Sequence, residues 1–345
     1  MSTLDSTSLA APHRPGLFLR LLAVREIPIL LVLAMLVSLA GVINPRVITA
    51  DNGKNVLMAV PLLLIVAMGQ MMVILTAGID VSVGSIMGLA GMLVGICFRD
   101  HYLNSLPLGC VLALLIGAVL GSLNGVLIAF CAVPPIVATL GTLGAFRGLV
   151  FIVSDNRQIN AYQLPDSLDR LGREGPAFLY GYVPWLVVIA FAFVLAAGLF
   201  LRYSRLGRDI YALGGNADAA RLRGIPVRFV TFATYMLCGA CAGFAGLLYA
   251  SRFGTINPGA IGKGFELQVI SAVVVGGVSI FGGSGSVLGV VLGCILLGTI
   301  NMALIVLGAP EAWQATSYGL IILAAVVFDD VLAGFLQRHT ARAGA

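Results

Sequence analysis

The feature that most limits this chain is a succession of ten apolar runs separated by polar stretches: Ile27–Ile43, Val56–Ala77, Gly84–Phe98, Leu106–Phe130, Val133–Val153, Val183–Leu201, Phe229–Ala250, Glu266–Phe281, Gly285–Leu307 and Ala312–Phe328. A bilayer core asks for roughly 20 apolar residues per helix. Only helices and closed barrels satisfy their backbone in lipid, and no ten-residue alternation of a barrel strand occurs here. The expected fold is therefore all-α, a polytopic membrane protein of about ten transmembrane helices. The third and eighth runs are short, so they are read as tilted, re-entrant or broken. The transmembrane domain covers 27–335, between tails at 1–26 and 336–345. No cleavage site follows the first apolar run, so the N-terminal segment is read as a cytoplasmic tail and not as a removed signal peptide.

Charge tells the same story. Only 10% of the 345 residues are charged, against 59% hydrophobic, where soluble domains carry about 25% charge. A soluble enzyme, a nucleic-acid binder and a disordered chain are excluded. The basic residues are 18 Arg with Lys54 and Lys263, and they lie between the runs instead of forming one patch. With the N-terminus inside and ten spans, the inner segments hold eleven of them and the outer loops eight. The margin is small, and the dense cluster in 202–228 is the better topology signal, since positive loops stay cytoplasmic. That places both termini in the cytoplasm and makes 154–182 and 251–265 periplasmic, the first of them a loop of mixed charge.

Several residues invite a functional reading beside a plain one. Gly117, Gly121 and Gly125 form one GxxxGxxxG run and Gly285, Gly289 and Gly293 another, the pattern of close helix packing. Two short stretches, Gly121–Ile128 and Gly84–Gly88, echo Gly298–Ile305 and Gly285–Gly289 at different offsets, a hint of an internal repeat. Asp80 ends the second run. It is either an exposed cap for the third helix, helped by Ser82, or a contact with a partner subunit. Arg147 lies within a span, where it either snorkels or pairs structurally, or else lines a pore. Gln70, Asn124 and Asn301 are mid-span amides that either join helices or line a path for a hydroxylated solute. Cys238-x-x-Cys241 sits in an apolar helix and reads as packing. The stretch 216–224 reads as a short helix, with Gly214-Gly215 breaking the chain before it, Asn216 as N-cap, Asp218 in the first turn and Gly224 and Pro226 ending it.

Three stretches resemble the permeases of bacterial ABC importers for simple sugars, the ribose-permease-like family, over about Val56–Asp329. They are Gly78-Ile-Asp-Val-Ser-Val-Gly-Ser85, then Gly207-Arg-Asp-Ile-Tyr-Ala-Leu-Gly-Gly-Asn216 with Ala219-Ala-Arg-Leu222 and Gly224-Ile225, and finally Val275-Gly-Gly-Val-Ser-Ile-Phe-Gly-Gly-Ser-Gly-Ser-Val-Leu-Gly289. Ile136-Val-Ala-Thr-Leu-Gly-Thr-Leu-Gly144 and Trp313 look nearer to the autoinducer-2 or rhamnose branch. The resemblance implies an ABC importer permease fold in the bacterial inner membrane. It implies that 216–224 is the coupling helix, with Asn216, Ala219, Ala220, Arg221 and Gly224 seated against an ATP-binding subunit. It also implies a second permease copy or sister permease, a periplasmic solute-binding protein and a sugar-like substrate, with no nucleic-acid partner.

The chain carries no phosphate loop of the G-x-x-x-x-G-K-[ST] type; its two Gly-Lys pairs, Gly53-Lys54 and Gly262-Lys263, are followed by Asn55 and Gly264 and not by Ser or Thr. ATP is therefore expected on a separate subunit, and no cofactor or metal is expected here. Gly282-Gly-Ser-Gly285 fits an intramembrane serine protease, but His13, His101 and His339 all lie outside the spans and leave no base, so an enzyme is not expected. A secondary transporter would couple through midplane carboxylates. Every Asp and Glu falls in a loop or at a span edge, which argues against one, and a channel stays open on composition alone.

Overall fold

The computed structural model describes residues 26–177, 183–310, 312–324 and 327. The tails at 1–25 and 336–345 and the end of the last apolar run lie outside the described residues. Each of the ten runs contains a helix. They are α1 (Glu26–Ile43), α2 (Ala50–Leu75), α3 (Val83–Arg99), α4 (Leu106–Ala129), α5 (Pro135–Ser154), α7 (Trp185–Tyr203), α10 (Val227–Phe253), α11 (Phe265–Val275), α12 (Val287–Val306) and α13 over 312–324. Between them lie the short helices α6 (Asp166–Arg173), α8 (Arg205–Gly215) and α9 (Ala217–Leu222). Among the described residues, seven helices are long and apolar enough to cross a bilayer, and α3 and α11 are shorter.

The core forms around α2 and α10. Every residue from Val60 to Leu75 is buried, so this part of α2 is apolar all round because protein surrounds it. By contrast α4 and α5 leave Leu115, Val119, Leu123, Val137 and Leu140 exposed, as a lipid-facing surface must. Helix α10 meets α4 with backbone against backbone. A Cβ on Gly117 would strike the Gly239 carbonyl, one on Gly121 would strike the Tyr235 carbonyl, and one on Gly125 would lie 2.9 Å from the Phe232 carbonyl. Gly239 and Gly243 complete the contact from the α10 side, and sequence reading had not singled them out. Cys238 and Cys241 are free and buried, and they pack against Gly69 of α2.

The second glycine run behaves differently at its first member. Gly285 precedes α12 and packs in a loop against Val278, because the helix begins at Val287 behind the Ser286 cap. Gly289 and Gly293 are on α12, pressed against the carbonyls of Gly276 and Ala272, and they seat α11 on α12.

The two short helices are interior ones. Gly91 of α3 touches Gly246 of α10, and α3 begins about 12 Å below that point at ~1.5 Å per residue. Its N-terminus thus lies inside the length of α10. The chain after α10 runs down beside α3, with Ile256 at Gly95, Ile261 at Gly88 and Gly262 at Gly84. Ile256, Ile261 and Gly262 are buried while Asn257, Gly259, Ala260 and Lys263 are exposed, so the 251–265 segment is solvated in part and tucks Ile256 and Ile261 into the protein. It re-enters the bundle, and α11 starts in the interior. Ile159 and Ile256 exchange both backbone hydrogen bonds, at 3.0 and 2.9 Å, and so fasten the outer segment to the point of re-entry. The eighth run stops being helical at Val275, where the glycine-rich 276–286 loop begins.

Candidate functional site

Two polar constellations sit where helices start inside the protein, and a third feature lies at the protein surface. The first lies at the start of α3. Asp80 is fully buried, not an exposed cap. Its Oδ1 accepts from the Ser82 backbone N–H at 2.8 Å and from the Ser82 hydroxyl at 2.6 Å. Asn124 of α4 donates to Ser82 Oγ at 2.8 Å and accepts from the Thr142 hydroxyl of α5 at 2.7 Å. Gln70 of α2, with its amide turned so that both atoms are paired, donates to the Asp80 carbonyl and accepts from the Asp80 N–H, each at 3.2 Å. Four helices are thus joined through one short break. The mid-span amides Gln70 and Asn124 take the helix-joining role. Gly78 fits the break because a Cβ there would lie 2.5 Å from the Tyr235 hydroxyl.

The second constellation lies at the start of α11. Arg147 of α5 neither snorkels nor stands free. Its Nη1 donates to the Ile261 carbonyl at 2.6 Å and its Nη2 to the Gly262 carbonyl at 2.7 Å. One guanidinium therefore satisfies two backbone acceptors of the re-entrant segment, which its planar fork suits. Glu266, in the first turn of α11, places its carboxylate against Gly84, and Oε2 has no partner among the described residues. Asp80 and Glu266 therefore lie in the interior, because the spans they flank are broken, and the span-edge placement read from sequence is corrected for both. Asn301 of α12 accepts from the Tyr318 hydroxyl of α13 at 2.6 Å. Among the described residues, no three of His, Cys, Asp and Glu gather in one place.

The third feature is the elbow formed by α8 and α9. Ser204 caps α8 through the Gly207 N–H at 2.8 Å. Helix α8 then runs through Gly214 and Gly215, where a break was expected, and ends at Asn216. Asn216 caps α9, accepting from the Ala219 N–H at 2.9 Å. Gly224 ends it at φ +76°, a conformation open to glycine. Ala220 is buried beneath the helix, while Arg221, Arg223 and Gly224 are exposed and Leu222 is 90% exposed. Gly214 touches the Leu75 carbonyl at the end of α2, and Gly283 donates its N–H to that same carbonyl at 2.9 Å. Tyr211 donates to the Gly285 carbonyl at 3.1 Å. The three stretches 78–85, 207–225 and 275–289, far apart in sequence, meet around this junction.

Comparison with known proteins agrees with this architecture. A family described as "Branched-chain amino acid transport system / permease component" matches residues 53–326. Similar proteins include the autoinducer 2 import system permease protein LsrC of Escherichia coli O9:H4 (strain HS), 38% identical over 320 residues, which is 92% of this chain and 90% of that one. LsrC of Photorhabdus luminescens is 35% identical over 321 residues, 92% of this chain and 93% of that one. No solved structure matches the chain. Ten apolar helices, two of them broken in the interior, and a match covering most of the chain place it in the bacterial inner membrane as a multi-pass protein. The chain belongs to this family of transport permeases and is a membrane-spanning subunit of an ABC-type import system, a transport component rather than an enzyme.

Proposed function

We propose that this chain forms part of the path by which autoinducer 2, or a closely related sugar-like solute, enters the cell. A periplasmic binding protein delivers the solute, and an ATP-binding subunit docks on α9 through Asn216, Ala219, Ala220, Arg221 and Gly224. The chain works beside a second copy or a sister permease. ATP binding and hydrolysis occur on the partner, and ATP is the only cofactor of the cycle.

The observation that carries the docking role is the pairing of exposure with internal contact. An isolated surface helix with an exposed Leu222 flanked by Arg221 and Arg223 offers an apolar tip in a basic collar. The same elbow presses through Gly214 on the end of α2 and on the 276–286 loop. A push on α9 therefore reaches the end of α2, next to the break at Asp80, and the loop that follows α11 without crossing a flexible linker, as rigid-body alternating access requires. The solute assignment leans on the named relatives, whose printed function is autoinducer 2 import. The Arg cluster in 202–228 supports a cytoplasmic elbow and cytoplasmic termini.

The test is co-purification from native membranes in mild detergent. A nucleotide-binding subunit should accompany the tagged chain and be lost when 216–224 is deleted or Gly224 is changed to Trp, with membrane insertion retained and uptake abolished. A single Cys at Ala217 should react only from the cytoplasmic side. A clean homo-oligomer without an ATPase, or uptake unaffected by Gly224→Trp, would sink the reading.

A further inference from the structure

A cavity of about 560 Å³ opens between the first half of α2, the end of α10, the start of α11, the second half of α12 and α13. Its polar lining includes Arg252, Lys263, Gln268, Asn301, Asn55 and Gln314. Both of its charged side chains are cationic, and no carboxylate lines it among the described residues. Glu266, two residues before the lining Gln268, turns its carboxylate against Gly84 instead. Neither the Arg252 nor the Lys263 side chain has an ion pair or hydrogen bond among the described residues; Arg252 stacks on the Phe253 ring at 4.9 Å. Asn301 spends its oxygen on Tyr318, which leaves its NH₂ to the cavity. Helix α11 begins beside it without a side-chain cap, adding the positive end of a helix dipole to the same space. Asn55, Phe253, Lys263 and Ile305 at the rim are exposed, so the space opens outward.

Unpaired donors that converge on an open space are costly to keep dry. Here they share one character: they give hydrogen bonds and repel cations. We propose that this cavity is an outward-facing binding vestibule that takes a solute rich in hydroxyl and other acceptor oxygens, favours anions and refuses cations, with Arg252 and Lys263 as its selecting residues. The inference rests on the transport reading above and on its topology, and it adds the residues that choose the solute.

The test reads the cavity without needing transport. Gln268→Cys is placed in the full chain, kept in its native complex, and labelled in intact cells with two membrane-impermeant methanethiosulfonates, the anionic sulfonatoethyl and the cationic trimethylammonium-ethyl reagent. Labelling is scored over that of the unmutated chain. Once each rate is normalised to a free thiol, the anionic reagent should react at least about fivefold faster, since clefts lined by one sign of charge concentrate counter-ions. Adding Arg252→Gln and Lys263→Gln should bring the ratio to about one. No labelling from the periplasm, equal rates in the first variant, or an unchanged ratio in the triple variant overturns the proposal. A lipid headgroup is the other source of acceptor oxygens. Repeating the labelling in nanodiscs of phosphatidylcholine, with and without phosphatidylglycerol, separates the two, and loss of the ratio only when the anionic lipid is present assigns the site to lipid and overturns the solute claim. Wild-type cells that fail to take up autoinducer 2 would overturn the solute named under the proposed function and leave the charge ratio standing.

Discussion

Helices α3 and α11 both begin inside the bundle, each beside a carboxylate, yet the two starts are built differently. At α3 the Asp80–Ser82–Asn124–Thr142 chain links three helices through side chains in a dry interior, with Asp80, Ser82 and Asn124 all fully buried; Asp80 Oδ1 accepts two hydrogen bonds while its Oδ2 has no partner among the described residues. At α11 only the backbone is tied down, through Arg147, while Glu266 Oε2 has no partner among the described residues and cationic side chains open onto a cavity. Residue type alone does not separate these two. A charge in a span is a functional candidate by default, and by that rule Asp80 and Arg147 would rank first. Counting partners reverses the order. The Ser82–Asn124–Thr142 bonds that join the helices are scaffold, and the donors facing an open cavity near Arg252 and Lys263 are the working surface. Being near the junction of α2, α8 and the 276–286 loop, the scaffold is also the part that an inward push on the elbow meets first.

The sharpest way to break this comparison is at the dry site. Asn124→Leu removes two interhelical hydrogen bonds and leaves the Ser82 and Thr142 hydroxyls facing an isobutyl group beside buried Asp80. The expected loss is about 2–3 kcal/mol, because unsatisfied buried groups lose their full desolvation cost. It should appear as a lower thermal midpoint of the detergent-purified chain, and an unchanged midpoint would show that the network is not structural. Arg147→Gln is the intermediate case. Glutamine offers one NH₂ in place of the fork, so one of the Ile261 and Gly262 carbonyls loses its donor. A loss of about 1–1.5 kcal/mol follows from one interhelical bond of this kind, with faster hydrogen exchange confined to 256–264. Exchange spread over α3 as well would mean that the two starts are one cooperative unit and not two.

Much of this was legible in the sequence, for physical reasons that also mark its limits. Hydropathy located all ten helices, since a lipid-facing or core-facing helix must be apolar whatever its neighbours. The shortness of Gly84–Phe98 and Glu266–Phe281 flagged both broken helices. Gly117, Gly121 and Gly125 predicted a backbone contact, and Asn216 predicted a cap, because each pattern is local. Depth was not legible. Asp80 and Glu266 flank apolar runs, and no one-dimensional measure says that those runs begin in the interior. Gly285 shares the spacing of Gly289 and Gly293 but falls before the helix, since Ser286 caps α12 one residue later. Gly214-Gly215 read as a break, yet Gly214 is a contact glycine inside α8, pressed on Leu75. The partners of Arg147 are carbonyls more than a hundred residues away, and a carbonyl has no sequence signature. The cavity combines side chains from five elements, so only the fold could assemble it.

The smallest expected effect is the most discriminating between scaffold and working surface. Lys263 is exposed, follows the buried Gly262, and its side chain holds no partner among the described residues. If it is part of a scaffold, Lys263→Gln should cost stability as the Asn124 change does. If it serves the open cavity, the thermal midpoint should correspond to a change within about 0.5 kcal/mol, the range of surface substitutions away from packed features, while autoinducer 2 uptake falls. The two readouts respond to different physics: stability to bonds already made in the resting chain, uptake to bonds that wait for a solute. A variant that keeps its midpoint and loses uptake therefore separates a group that holds the fold from one that the fold holds in readiness, and a variant that loses both returns the start of α11 to the scaffold.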